Sequence, residues 1–193
     1  MNLSEYEKQF QEILDGHNNS YPYDSDDYVN YVKMNQARMN RWKKRGKIAP
    51  ELVEMIKNID QPQNWLLITE PWCGDAAHSH PFIGKLAELN SNITLTVQNR
   101  DAADSEIDQY LTNGGKSIPI LVVRDADGND LFHWGPRPKE AQAMVMSQKT
   151  NTVMSDDDKK QEIQKWYNKD KGQNILEDLT RLLLENVSDS TLL

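Results

Sequence analysis

The run Trp65-Leu66-Leu67-Ile68-Thr69 restricts the fold of this chain more than any other feature of its sequence. It is short and nearly all apolar, as a buried strand requires, and from Asn64 onward the hydrophobic period is no longer helical. The run leads into a turn holding Cys73 and then into a helical pattern through Phe82, Ile83, Leu86 and Leu89. Residues 92–98, NITLTVQ, alternate as a second strand. Residues 105–111, SEIDQYL, read as a helix stopped at NGG, a glycine-rich helix end. Residues 118–123, IPILVV, form another buried strand, DADGND a turn, and LFHW the strand returning from it. The order strand-helix-strand-helix-strand-strand-helix predicts an α/β fold with a small mixed sheet and helices on both faces, because crossovers through helices make parallel pairs.

Both flanks read as helical. Leu3, Tyr6, Phe10, Ile13 and Leu14 set a weak pattern ended by DGHNNS. Ser25 or Asp26 is placed to cap a second helix, which carries Tyr28, Tyr31, Val32, Met39 and Trp42 and closes at Gly46. Pro50 opens a short third helix. After WGPRP the chain is helical again. Ser155, followed by three aspartates, caps a helix with an apolar side at Ile163, Trp166 and Tyr167. Gly172 separates it from a last amphipathic helix through Ile175, Leu179, Leu182 and Leu183. At 193 residues the expectation is one domain: an α/β core over 61–147, an N-terminal helical extension over 1–60 and a C-terminal one over 148–193.

Charge limits the partners. A formal net charge of −8 argues against a general nucleic-acid or membrane-surface binder, both of which need a basic face. No apolar run is long enough to span a bilayer. The polar start MNLSEYEKQF lacks a secretory apolar core, so the expected location is cytoplasmic. A single cysteine allows no internal disulfide, in keeping with a reducing compartment.

That cysteine is the centre of the chemistry. Cys73 lies between a strand end and a helix start, where free backbone N–H groups stabilise a thiolate, so the sequence predicts an exposed or half-exposed nucleophile. Gly74 permits close approach of backbone or substrate, and Trp72 supplies an apolar wall.

These residues resemble the thioredoxin-like superfamily, whose signature is W-C-G-x-C. Three further features agree: Pro81, eight residues after Cys73, in the first helix; Ile118-Pro119, 46 residues after it, where the family opens a strand with a cis-proline; and Gly135 at the end of the last strand. The resemblance covers about residues 61–147, and the terminal helices with WGPRP and WYNKDKG look like a bacterial branch marked by W-C-G-D. It implies a thioredoxin-like fold and a role in cell redox homeostasis. Cys73 would be the reacting thiol, Trp72, Gly74, Ile118, Pro119 and Gly135 would shape the site, and the backbone of Ile118 would offer hydrogen bonds to an extended substrate. Partners would be protein or low-molecular-weight thiols and disulfides, with no cofactor.

Two departures matter. Ala76 stands where the family has its resolving cysteine, and Leu67 where it has a buried acid that aids proton transfer. Without the second thiol the chain cannot complete a dithiol cycle alone. Asp75 suits the helix dipole but raises the thiol pKa. Arg137 sits near a helix start, where a cation is unfavourable; it is either a solvated arginine or one held by Glu70, Asp75, the Cys73 thiolate or an anionic substrate.

A metal reading of Cys73, His78 and His80 fails on geometry. On a helix the two histidines point about 200° apart, and Cys73 lies about 10 Å from His80 along the axis. DADGND lacks the glycine placement and closing acid of a calcium loop. RWKKRGK reads as a solvated helix C-terminus. The leading expectation is therefore a monothiol protein exchanging disulfides through Cys73 with an external resolving thiol. The alternatives are a redox-inactive binding module using the groove beside Pro119, and a sensor forming an intermolecular disulfide.

Overall fold

The computed structural model describes the backbone of residues 1–190 and side-chain surroundings through residue 186. Four strands, β1 (Gln63–Thr69), β2 (Ile93–Asn99), β3 (Ile120–Arg124) and β4 (Asp130–Trp134), form one mixed sheet in the order β2-β1-β3-β4. β2 is parallel to β1, whereas β3 is antiparallel to β1 and β4 to β3. Among the described residues, seven α-helices surround it: α1 (Leu3–Leu14), α2 (Asp26–Arg45), α3 (Pro50–Lys57), α4 (Gly74–Ala87), α5 (Lys139–Lys149), α6 (Asp156–Asp170) and α7 (Gln173–Ser190).

The strand alternation divides the core in two. Trp65, Leu67, Leu121 and Val123 face a large cluster that takes in α1, α2, α3, α7 and the later turns of α4. Leu66, Ile68, Ile120 and Val122 face a smaller one with Cys73, Ala76, Ile107, Tyr110 and Ile118. Helix ends follow local chemistry. Asn2 and Glu5 form a reciprocal capping box on α1, and the Ser155 hydroxyl accepts from the Asp158 N–H at 3.1 Å. Ser25 occupies the N-cap of α2 without a side-chain bond, and Asp26 and Asp27 supply first-turn acid instead.

One element differs from the sequence expectation. SEIDQYL makes only a four-residue 3-10 helix, Glu106–Gln109. The Gln98 amide oxygen takes the Glu106 N–H at 2.9 Å and the Ser105 hydroxyl that of Ile107 at 3.3 Å, which fixes a tight turn. Ile107 and Tyr110 are buried but Leu111 is exposed, so no apolar face continues into a longer helix. NGG accordingly serves a different end: Asn113 and Gly114, at φ 51° and 77°, form the turn that bridges Thr112 to Gly115.

The α4 histidines lie on opposite sides of their helix, each within a separate hydrogen-bonded setting. Trp42 Nε1 donates to His78 Nδ1 at 2.8 Å, which places the His78 proton on Nε2, 2.8 Å from Gln164 Oε1. The ring stacks on Tyr167 with centroids 4.4 Å apart. His80 packs edge-on to Tyr6, with Nδ1 3.2 Å from the Ala76 carbonyl. Burial pushes His78 down to about 3. Its imidazole resonances are expected to stay flat from pH 8 to about pH 4.5 in a proton NMR titration. An inflection near pH 6.5 would mean that the Trp42–His78–Gln164 chain is not formed in solution.

Candidate functional site around Cys73

β1 ends at Thr69, and the chain turns back at once: the Cys73 N–H donates to the Glu70 carbonyl at 2.9 Å. Cys73 is the N-cap of α4, and its sulfur accepts the Ala76 N–H at 3.4 Å. From the other side the thiol donates to the Ile118 carbonyl at 3.4 Å. The Ile118–Pro119 peptide is cis. Gly135, at φ 127°, lies so close behind it that an added Cβ would stand 2.1 Å from the Pro119 oxygen. Cys73, Ile118, Pro119 and Gly135 thus converge, although they come from three separate elements.

Asp75 and Arg137 meet directly. Arg137 Nη2 lies 2.7 Å from Asp75 Oδ2, and the Tyr167 hydroxyl donates to Asp75 Oδ1 at 2.9 Å. Among the partners considered for Arg137, the structure selects Asp75. The Gln142 amide oxygen takes a second guanidinium N–H at 3.1 Å. Arg137 precedes the α5 cap Pro138, and its charge is answered across the fold.

The terminal helices close over this turn. On α2, the Asn35 amide donates to the Pro71 carbonyl at 3.0 Å, and Arg38 donates to Asn35 at 2.7 Å. On α6, Gln164 approaches Gly74 so nearly that a Cβ there would meet its Nε2 at 3.2 Å. Trp72 is held edge-on by Tyr28, with centroids 5.9 Å apart, and the Arg100 guanidinium lies 4.7 Å from its ring centre.

Closure overturns the expected exposed thiolate: Cys73 is only 5% exposed. Burial pushes its thiol up to about 12, and the Asp75 carboxylate adds to this; the Ala76 N–H and the Arg137 cation act the other way and lose. The helix-terminal effect that the sequence suggests is real but outweighed, because the thiolate would have to form in an apolar cluster beside a carboxylate. Asn35, Arg38, Gln164 and Arg100 belong to this site and escaped sequence reading. Only Asn35 left a trace, as a polar residue in line with Val32, Met39 and Trp42 on α2.

A thioredoxin family model matches residues 22–152. This chain belongs to the thioredoxin family. The matched region begins just before α2, within the N-terminal helical segment. Among solved structures, an HIV epitope-scaffold protein is similar over 96% of this chain and 99% of its own, at 18% identity and a TM-score of 0.55. A protein of unknown function from Pseudomonas aeruginosa is similar over 98% of this chain and 99% of itself, at 17% identity and a TM-score of 0.55. These likenesses concern the fold alone. No curated protein sequence matches significantly. No described helix is long and apolar enough to cross a membrane. Among the described residues, no three His, Cys, Asp or Glu side chains are grouped to hold a metal ion.

Proposed function

We propose that this protein is a binding module in its resting form, with Cys73 kept as a neutral structural thiol. The observation that carries this reading is the buried Cys73 sulfur, bonded to the Ile118 carbonyl and raised to about 12. Ile118 and Pro119 are themselves buried, so a partner would meet the rim of that groove at the half-buried Ser117 and the exposed Lys116. The chain is proposed to act as one unit over 1–193, because the helices outside 61–147 supply the residues that close the site. Partners of thiol or disulfide type remain within the reading through the family.

Monothiol exchange through Cys73 is the second reading, favoured by the Ala76 N–H aimed at the sulfur and the cation of Arg137 nearby. There the thiolate would displace one sulfur of a disulfide, forming a mixed disulfide and releasing the other half as thiolate. An external thiol would then attack the adduct and return Cys73 to its thiol form. Incubation with oxidised glutathione at pH 7.5, followed by intact mass measurement, separates the two. The module reading expects no glutathione adduct over the time in which free cysteine reacts to completion. Rapid adduct formation at Cys73 would replace it with the exchange reading.

A further inference from the structure

A cleft of about 490 Å³ lies at the carboxyl ends of the parallel strands β1 and β2. In α/β sheets this is where ligands gather, since strand ends leave backbone and loop groups without sheet partners. One wall is the α1–α2 connection, Tyr21, Pro22 and Tyr23; the opposite wall is Glu70, Asn99 and Asp104. Nothing in the Cys73 reading uses it.

Its buried polar groups are only partly satisfied. Glu70 is 5% exposed and accepts only the Asp101 N–H at 3.1 Å and a long 3.4 Å contact from the Asn99 amide. The side-chain amide oxygen of Asn99, Oδ1, is buried without a hydrogen bond. Tyr23, 8% exposed, has its hydroxyl beside Glu70 yet makes no well-formed hydrogen bond to it or to any other group. Two cations stand nearby, but both are engaged: the Met1 ammonium donates to the Val97 carbonyl at 3.0 Å, and Arg100 forks onto Asp101 at 2.8 Å. Among the described residues no salt bridge reaches Glu70 or Asp104. The cleft therefore presents acceptors in need of donors. An anion would face carboxylates, and a neutral ligand would bring Glu70 no positive charge beyond that of Arg100, which is already forked onto Asp101. The absence of three clustered ligating side chains disfavours a metal ion. Tyr21, 84% exposed, and Pro22 add an apolar rim.

We propose that this cleft binds a primary ammonium group on a short alkyl stem, with the ammonium on Glu70 and the Asn99 side-chain oxygen Oδ1 and the stem against Tyr21 and Pro22. The bearer is either a free alkylamine or a lysine side chain, and both present the same chemistry to the cleft.

The test titrates n-butylammonium and N-acetyl-lysine methylamide into the full chain, following backbone amide resonances of Glu70, Asn99 and Asp101 and the fluorescence of Trp72. Saturable shifts with either ligand are expected, and the tighter one identifies the bearer. Butanol and butyrate of the same stem length are expected to give none. Glu70→Gln keeps the shape and is expected to weaken binding by about tenfold or more. Asp104→Asn, on the outer wall, is expected to weaken it less and leaves folding intact, so the result does not hang on one variant. Cys73→Ala is expected to bind as the wild type does, which keeps this result separate from that of the thiol. Equal shifts with butanol, no saturation with either amine, or affinity unchanged in both Glu70→Gln and Asp104→Asn would overturn the proposal.

Discussion

Cys73 is expected to react with iodoacetamide at pH 7 at least about 100-fold more slowly than free cysteine. With the thiol raised to about 12, the thiolate fraction at pH 7 falls some three orders of magnitude below that of a thiol near ~8.5. A more basic thiolate is intrinsically more nucleophilic, which returns roughly one and a half orders, and burial adds a further barrier. Denaturation in urea is expected to restore the free-cysteine rate. Asp75→Asn removes a carboxylate beside the sulfur and leaves the Arg137 cation facing it, so alkylation at pH 8 is expected to rise by about tenfold or more.

The same shift links to stability. A thiol with a raised folded pKa keeps its proton in the native state while the unfolded chain loses it. Its contribution is therefore complete below the unfolded value and is lost as pH rises toward about 12. By pH 10 the loss is about 2 kcal/mol relative to Cys73→Ser, whose comparison cancels the buried tyrosines that also begin to titrate. Urea unfolding of both proteins from pH 7.5 to 10 reads this directly. Fast alkylation at pH 7, or parallel pH profiles, would show that the thiol is not held as described.

Gly135→Ala is expected to cost at least about 3 kcal/mol or to prevent folding. Two effects act together at this position. At φ 127° an L side chain is strained on its own, and the new Cβ would stand 2.1 Å from the Pro119 oxygen, which is backbone and cannot swing away. To accommodate it, the Ile118–Pro119 segment must retreat from Cys73. Gly128 is the control, because it also has a left-handed φ, 87°, but nothing lies within 4 Å of its added Cβ. Gly128→Ala is therefore expected to cost only about 1 kcal/mol. Similar urea midpoints for the two variants would show that the close approach behind Pro119 is not a structural requirement.

Much of the fold was legible because periodicity reports which face of an element is buried. The succession of elements along the chain, the two helical flanks and the fold class all follow from alternation and capping residues, whereas the sheet order β2-β1-β3-β4 came from the structure. The exception, Glu106–Gln109, arose where side chains of Gln98 and Ser105 captured backbone N–H groups, an interaction that helical spacing does not encode.

For the site, the sequence by itself determined a lone cysteine between a strand end and a helix start, while its resemblance to the thioredoxin-like superfamily implied that Pro119 and Gly135 would lie alongside and that Ala76 replaces the resolving thiol. It could not determine the state of the thiol. That was decided by Asn35 of α2 and by Tyr167 and Gln164 of α6, distant in sequence, which seal the turn and hold Asp75 beside the sulfur. Ionisation depends on the full set of charges and on the water excluded around a group, and both are set only when the chain has closed on itself.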